Sequence, residues 1–299
     1  MNLPTISLVI PVFRRPREIR RCLQGVKALN YPADRLEVLV VDNASGDETP
    51  DAVRAEGLAP LTEKKPGAAA ARNCGIRAAK HEIVVFTDSD CVPAPNWLRE
   101  LVRPFADPQV GGVGGRIIGA SPENIYEEYN ERERILDQEE FLIRQGQFFL
   151  PIIITANAAY RREVLLETGG FDEWFNVNAE DADLAWRVQW AGHELRYAPE
   201  AAVIHHHRAS LQGMARAFYS YGAGTVFLLK RHGGKLGLRS QVTWPMYRMW
   251  LTSPLKLPYT LVAGQSEYER WKPWLDWVHA SAHLAAKWRY SLKLGVVCL

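Results

Sequence analysis

The chain has 299 residues, of which 47% are hydrophobic and 23% are charged, so it can form one large globular domain with an appendage and is not a fibrous or low-complexity protein. Its cysteines (Cys22, Cys74, Cys91 and Cys298) form no CxxC pair, which argues against a disulfide or zinc framework and for reduced thiols in a cytosolic protein. The apolar N-terminal segment has no basic stretch before it, so we interpret it as a strand and not as a signal peptide.

The net charge of +2 is unevenly distributed along the chain. Residues 230–299 contain 11 Lys and Arg against 3 Asp and Glu, together with six of the ten tryptophans. A basic, Trp-rich segment is typical of a peripheral contact with an anionic membrane surface. The alternative is a helical appendage whose aromatic side chains pack on the rest of the protein, and both interpretations stay open. Nucleic acid is disfavoured as a partner, because the basic excess is modest and no nucleic-acid-binding motif accompanies it.

Strands and helices are predicted to alternate along the first 120 residues. The predicted strands cover residues 5–13, 36–42, 82–88 and 110–119, and the predicted helices cover residues 16–29, 46–57, 67–80 and 94–107. Repeated strand–helix units imply a mostly parallel sheet with helices on both faces.

The elements after residue 120 are predicted with less alternation. They comprise a long charged helix over 123–147, a strand over 151–155, a helix over 179–192 and a strand over 195–207. From about residue 210 the pattern is mostly helical. We therefore expect a catalytic domain over residues 1–230 and a helical, basic, Trp-rich region over residues 231–299.

Three of the predicted strands end in segments that carry polar residues, and the carboxyl ends of strands are where ligands bind in open α/β sheets. These segments are Pro11-Val12-Phe13-Arg14, Asp42-Asn43 and Asp88-Ser89-Asp90. The D-x-D pattern suits Mg²⁺ or Mn²⁺. These ions take oxygen ligands, and substrate phosphate often completes their coordination shell. The alternative is a turn in which Asp88 caps a helix, but Pro93 delays the start of the next helix.

A second acidic group lies far downstream, at Glu180, Asp181 and Asp183. A helix N-terminus favours negative charge, and Asp183 can pair with Arg187 one turn later. Glu180 and Asp181 are then available for chemistry, and a carboxylate in a cleft can deprotonate an attacking hydroxyl group.

The last predicted strand ends in three consecutive histidines, His205, His206 and His207. Alternation along an extended chain places His205 and His207 on one side. Neutral imidazole is a common metal ligand, so we expect these two to complement the carboxylate of Asp90, although a lone histidine is more often an ordinary core or surface residue.

The sequence resembles the family 2 glycosyltransferases over roughly residues 5–230. The resemblance lies in seven motifs in the family's order: SLVIPVFRR, VLVVDNASGDET, GAAAARNCGI, FTDSD, TANAAYRREVLLETGGFDE, EDADLAWR and VIHHHRAS. It implies the GT-A fold, a Rossmann-like α/β architecture with a mixed, mostly parallel sheet flanked by helices. It also implies a nucleotide-sugar donor and inversion at the anomeric centre.

The resemblance assigns roles to individual residues. The donor would be held by Pro11, Val12, Phe13, Arg14, Asp42, Asn43, Arg72, Asp88 and Ser89. A Mn²⁺ or Mg²⁺ ion would be held by Asp90 with His205, or with His207 as the runner-up. Asn157 and Glu180 would border the sugar and acceptor pocket, and Asp181 would be the catalytic base.

Two departures from the family pattern limit these expectations. Many uridine-diphosphate users carry Asp-Asp where this chain has Asp42-Asn43, and a neutral acceptor is weaker, so the base of a UDP, dTDP or GDP donor stays open. The Q-x-x-R-W element of processive members is missing, so we expect transfer of one or a few sugars per encounter.

The resemblance therefore implies a metal-dependent glycosyltransferase of the hexosyltransferase type that acts in cell-surface glycan synthesis. Its acceptor would be a glycan or a lipid-linked acceptor, and the enzyme would be cytoplasmic, with the inner face of the membrane as a place of attachment. One alternative is a nucleotidyltransferase that makes a nucleotide sugar and releases diphosphate. Another is a non-catalytic membrane-associated adaptor. A dehydrogenase is disfavoured because no G-x-G-x-x-G follows the first strand.

Overall fold

The structure is a computed structural model that describes residues 3–143 and 150–299. Within it the chain forms two compact units. The first consists of Met1–Ala120, Leu136–Asn176 and Glu180–His206, and the second of Ser121–Ile135, Val177–Ala179 and His207–Leu299. The sequence-based division at residue 230 stays a prediction.

The first unit is built on an eight-stranded sheet with the order β3-β2-β1-β4-β7-β6-β8-β5. Its strands are β1 (Ile6–Val12), β2 (Leu36–Asp42), β3 (Leu61–Thr62), β4 (Ile83–Thr87), β5 (Cys91–Pro93), β6 (Val110–Gly119), β7 (Asn157–Arg161) and β8 (Glu194–His205). Strands β1 to β4 pair in parallel, as do β6 and β8, whereas β7 runs antiparallel to β4 and β6, and β5 runs antiparallel to β8. The expectation of a mixed, mostly parallel sheet is confirmed.

Helices flank this sheet and also form most of the second unit. In chain order they are α1 (Pro16–Lys27), α2 (Thr49–Ala55), α3 (Ala68–Ala78), α4 (Trp97–Val102), α5 (Ile125–Arg132), α6 (Gln138–Leu142), α7 (Arg162–Thr168), α8 (Glu180–Trp190), α9 (Leu211–His232), α10 (Trp244–Ala263) and α11 (Glu267–Leu294). Helices α5, α9, α10 and α11 belong to the second unit. Short 3₁₀ turns cover Ala33–Arg35 and Arg103–Ala106.

Strand β1 shows why the sheet is covered on both faces. Leu8 and Ile10 belong to one hydrophobic cluster and Val9 to another, and all three side chains are fully buried. Helix α3 approaches β1 closely at Gly75, where an added Cβ atom would overlap the side chain of Val9. A small residue is therefore needed at this contact, which lies in the C-terminal half of α3.

The second unit packs α9 and α10 against α11, with a two-stranded pairing of β9 (Ser240–Gln241) and β10 (Val297–Cys298). Helix α11 begins with a capping box in which Ser266 and Glu269 satisfy each other's backbone N–H groups. Gly222 allows α9 to approach α11, because an added Cβ atom would overlap the carbonyl oxygen of His283. Among the described residues, no helix has both the length and the apolar character needed to span a membrane.

Two sequence-based predictions are wrong in the part of the chain that the structure describes. The long helix predicted over 123–147 is two short helices, α5 and α6, because Arg134 adopts a positive φ of 52° and Asp137 caps the second helix. Residues 144–149 of that prediction lie outside the described residues. The strand predicted over 151–155 is an irregular buried segment, and the strand begins later, at Asn157.

Candidate functional site

The D-x-D segment follows β4 and turns immediately into the short strand β5. The turn is closed by a hydrogen bond from the Cys91 N–H to the Asp88 carbonyl, 3.0 Å long. Antiparallel pairing of β5 with β8 places Cys91 opposite His205, and the N–H of His206 donates to the carbonyl of Asp90 at 3.0 Å. Backbone pairing, and not proximity in sequence, therefore brings the histidine to the acidic strand end.

Asp90, Cys91 and His205 form a buried group whose ligand atoms all lie within 4.8 Å of one another. The Asp90 Oδ1 and His205 Nε2 atoms are 3.7 Å apart. Two ligands of one Mn²⁺ or Mg²⁺ ion, each bound at about 2.1 Å, lie about 3 to 4 Å apart, so this pair fits such an ion. Burial, with the nearby Asp90 and Asp88, raises the pKa of the Cys91 thiol well above its usual value, and a neutral thiol is a poor ligand for a hard cation. Cys91 is thus better described as a neighbour of the site.

Arg15 contacts the same carboxylate from another direction. Its guanidinium Nη1 lies 2.6 Å from Asp90 Oδ2, so one oxygen of Asp90 pairs with Arg15 while the other faces His205. The sequence analysis missed Arg15. The available signal was its position directly after the first strand end, next to Arg14.

Arg72, on α3, joins the strand end to the second acidic group. Its buried guanidinium donates to Asp88 Oδ1 at 2.9 Å and to Glu180 Oε1 at 2.7 Å. The guanidinium carbon also lies 5.6 Å from the centroid of the Phe171 ring. Three residues predicted from separate motifs are therefore in direct contact.

Asp181 lies in the first turn of α8, next to this ion pair. Burial raises its pKa to about 7, and the negative charge of Glu180 adds to the effect. Arg72 and the backbone N–H groups of Ala182 and Thr155 act in the opposite direction. Near neutral pH a substantial fraction of this carboxyl group is therefore ionised, and a pKa close to the working pH suits a general base.

Asp183 forms the structural ion pair with Arg187 that the sequence analysis expected. Its Oδ2 atom accepts from the Arg187 Nε at 2.8 Å, and Arg187 also donates to the carbonyls of Thr168 and Gly170. This pair of a buried carboxylate and a partly buried guanidinium group joins α8 to the turn that follows α7.

The ends of β1 and β2 are joined by hydrogen bonds around Ser45. The Arg14 Nε donates to the Ser45 carbonyl at 2.9 Å, and the Ser45 hydroxyl donates to Asp42. Pro11 and Val12 are the last residues of β1. Phe13 is half exposed under the Arg14 guanidinium, 5.1 Å from its ring centroid. These residues meet at one sheet edge, and their donor-binding roles stay predictions, as does that of the buried Ser89.

Asn43 organises the loop that leads into α3. Its amide nitrogen donates to the carbonyls of Glu63 and Lys65 at 2.9 and 2.7 Å, and its oxygen accepts from the Gly67 N–H at 2.8 Å. These contacts account for an amide at this position whatever the donor base.

Asn157 is fully buried inside the first unit. Its oxygen accepts from the Trp97 indole N–H at 2.7 Å, and its amide nitrogen donates to the carbonyls of Arg116 and Ala201 at 2.8 Å each. These bonds hold β7 to β6 and β8, and a place in the sugar pocket stays a prediction.

His207 belongs to the second unit, where its Nε2 lies 3.5 Å from Glu131 Oε2. The candidate metal group among the described residues contains His205 and does not contain His207.

Comparisons with known proteins agree with this architecture. A family model described as "Glycosyl transferase family 2" matches residues 7–169. The pre-mycofactocin glycosyltransferase of Mycobacterium tuberculosis is 32% identical over 243 residues, which cover 77% of this chain and 48% of that protein. The chain thus spans about half the length of this relative.

Two solved structures share the fold. The mannosyltransferase PcManGT from Pyrobaculum calidifontis, in complex with GDP-Man and Mn²⁺, superposes with a TM-score of 0.64 at 24% identity, over 96% of this chain and 88% of that one. Glucosyl-3-phosphoglycerate synthase from Mycobacterium tuberculosis, in complex with Mn²⁺, UDP-glucose and phosphoglyceric acid, gives a TM-score of 0.54 at 21% identity, over 77% and 80% of the two chains.

Proposed function

Because the chain belongs to glycosyl transferase family 2, we propose that it moves one sugar from a nucleoside-diphosphate sugar to an acceptor hydroxyl group, with inversion and without processive elongation. The observation that carries the proposal is Asp181, a carboxylate whose pKa is raised to about 7. Its neighbour Glu180 is tied through Arg72 to Asp88 at the acidic strand end. The proposed base and the candidate cation site both lie in the first unit, which supports this proposal.

Asp90 and His205 are the residues that would hold a Mn²⁺ or Mg²⁺ ion, on the basis of their 3.7 Å separation. When bound, such an ion supplies positive charge that stabilises a leaving nucleoside diphosphate. The Mn²⁺ in both structural relatives supports a metal-dependent reaction for this chain.

Asp181 is the proposed acceptor of the hydroxyl proton. As the hydroxyl oxygen attacks the sugar C1 atom, the new C1–O bond forms on the face opposite the diphosphate, the C1–O(phosphate) bond breaks, and the proton passes to the Asp181 carboxylate. A single displacement inverts C1 and needs no covalent bond to the enzyme.

Arg15 and Arg72 hold the carboxylates in place for this step. Asp88, Asp90 and Glu180 repel one another when ionised, and each accepts a short contact from one of the two guanidinium groups. Removing either arginine would leave a partly buried carboxylate without its closest described cation, which is more costly than losing an exposed pair.

The donor and acceptor are proposed only by class. The two structural relatives contain GDP-Man and UDP-glucose, so the likeness in fold does not select a base. We propose an acceptor in glycan synthesis, either a glycan or a lipid-linked acceptor, and peripheral attachment to a membrane through the C-terminal region.

The test compares Asp181→Asn with Glu163→Gln, a matched loss of an exposed carboxylate on α7 of the same unit. Release of nucleoside diphosphate is measured with UDP-, dTDP- and GDP-sugars and a panel of soluble and lipid-linked acceptors. Asp181→Asn should reduce turnover by about 10²- to 10⁴-fold, while the donor-induced shift in melting temperature is retained and Glu163→Gln behaves as wild type.

Three results would overturn the proposal. Normal turnover by Asp181→Asn would remove the base, and a product with retained anomeric configuration by NMR would exclude a single displacement. Release of diphosphate from a nucleoside triphosphate, with no transfer from nucleotide sugars, would instead favour the nucleotidyltransferase.

A further inference from the structure

Helix α10 is long yet almost entirely unburied. It contains 20 residues, and Ser253 is the one buried residue among them. A helix of this length measures about 30 Å. Its exposed side chains are largely apolar, which is unusual for a helix that faces water.

The side chains of α10 fall on two opposite faces. Helix α10 packs against α11, and one of its faces carries the partly or fully buried residues Met246, Met249, Ser253, Leu257 and Thr260. The opposite face, which we call the outer stripe, consists of Trp244, Leu251, Leu255, Tyr259 and Val262, spaced seven, four, four and three residues apart. Helical periodicity aligns these five side chains in one row.

The outer stripe is among the most exposed apolar surfaces in the described residues. Leu255 is 79% exposed and Val262 is 90% exposed. Trp244, at the other end of the stripe, is 73% exposed. Nothing in the second unit covers this row, whereas the opposite face of the same helix is held by α11, for example by the Thr260 hydroxyl bond to the Arg270 carbonyl at 3.1 Å.

The charge on α10 is of one sign. The helix contains Arg248 and Lys256, both exposed, and no acidic residue. Arg248 lies within the outer stripe between Trp244 and Leu251, and Lys256 lies next to Leu255. Long basic side chains beside an apolar row can reach phosphate groups while the row itself enters the acyl boundary.

Helix α11 differs from α10 in how it uses its aromatic and titratable residues. Its buried residues include Tyr268, Leu275, His283 and Lys287, and Lys287 donates to the side chain of Thr243. Helix α11 thus supplies buried side chains that hold the unit together, and its tryptophans Trp271, Trp277 and Trp288 are exposed only to 38–49%, less than the 73–90% of Trp244, Leu255 and Val262 on α10. Trp244 is the most exposed tryptophan of this region, and it lies on α10.

We infer that the outer stripe of α10, with Arg248 and Lys256, lies flat on an anionic lipid bilayer. The apolar row supplies burial and the two cations supply attraction to acidic headgroups. The purpose of this contact rests on the proposed function, because a lipid-linked acceptor is itself held in a bilayer. Binding to vesicles is measured without donor or acceptor, so failure of one proposal is distinguishable from failure of the other.

The experiment is vesicle flotation of the full chain with Leu255→Ser plus Val262→Ser. Wild type should float with phosphatidylcholine vesicles that contain phosphatidylglycerol. The double variant should bind about tenfold more weakly for each side chain removed. The matched control is Leu292→Ser on α11, a leucine that is 80% exposed outside α10, and it should bind as wild type. Circular dichroism and thermal melting establish that each variant is folded.

The electrostatic part is tested with Arg248→Gln plus Lys256→Gln and with added salt. Each should reduce binding to the anionic vesicles by several-fold and leave binding to pure phosphatidylcholine unchanged. Equal flotation of wild type and the Leu255/Val262 variant overturns the inference, as does loss of binding in Leu292→Ser alone. A concentration-dependent dimer that the Leu255/Val262 substitutions dissociate would assign the stripe to self-association and equally overturn it.

Discussion

Replacing Glu180 with Gln should move the acid limb of the pH–rate profile to lower pH, because Glu180 is a neighbour whose charge raises the pKa of Asp181. In the wild type that pKa is about 7. About one-tenth of the base is then ionised at pH 6 and about one-hundredth at pH 5, so kcat should fall about tenfold per pH unit. An aspartate with its ordinary pKa of 3.8 would give a flat profile over this range.

The expected change in the pKa of Asp181 depends on which causes of its raised value remain in Glu180→Gln. Burial is the largest cause, and Glu180→Gln leaves it in place, so the pKa should stay above 3.8. Two unit charges about 6 Å apart in a medium of effective dielectric constant about 40 interact by about 1.4 kcal/mol, or about one pKa unit. The glutamine oxygen can still accept from Arg72, so the geometry around Asp88 is retained. We expect the acid limb to move down by about one pH unit.

The assay is nucleoside diphosphate release between pH 5 and 9. Donor and Mn²⁺ are kept saturating at each pH, because metal ligands also bind protons. Glu163→Gln is the control for loss of a negative charge elsewhere in the unit, and its profile should match that of the wild type. A Glu180→Gln profile that superimposes on the wild type, or that moves to higher pH, would refute the assignment of this limb to Asp181.

Three further predictions concern the metal group and the second unit. Asp90→Ala should weaken Mn²⁺ and donor binding together, and an unchanged Mn²⁺ titration by calorimetry would contradict the ligand role. Gly222→Ala should destabilise the second unit by about 1 to 3 kcal/mol, since its Cβ would overlap the backbone of His283, and a wild-type urea midpoint would argue against that contact. Burial lowers the pKa of His279 to about 3 and that of His283 to about 4, both below the unfolded value of 6.5. The unfolded chain therefore binds more protons, and stability should be lost as the pH falls from about 6.5 towards 4, less so in His279→Gln. Equal urea midpoints at pH 7 and pH 5 would contradict this sign.

The sheet and the family could be predicted because their signals are local. Strands β1, β2 and β4 consist mostly of apolar residues, as is typical of buried parallel strands. The motifs at and between these strands resemble those of family 2 glycosyltransferases, and the family model confirms this resemblance. The pairing of Asp183 with Arg187 was also foreseeable, since residues four apart on a helix are neighbours.

The rest of the site depends on contacts between distant segments. Strand β5 has three residues, too few for a periodic pattern, yet its pairing with β8 decides which histidine faces Asp90. Alternation along the strand places His205 and His207 on the same side, so it could not predict which of the two faces Asp90. Composition likewise favoured a helix through Arg134, where the backbone takes a left-handed conformation that no sequence pattern announces.

Charge balance explains why two carboxylates follow β4 at all. Asp88, Asp90, Glu180 and Asp181 carry four negative charges when ionised, and Arg15 and Arg72 supply two positive ones. Burial is the main cause of the raised pKa of Asp181, and the negative charge of Glu180 adds to it. On the proposed function, the remaining excess of two negative charges would favour a divalent cation beside Asp90. On the same proposal, a cation bound beside Asp90 would reduce this excess of negative charge and so lower the pKa of Asp181. Metal binding and proton removal from the acceptor would then be coupled electrostatically. An acid limb that moves to lower pH as Mn²⁺ is raised from substoichiometric to saturating would be the signature of that coupling.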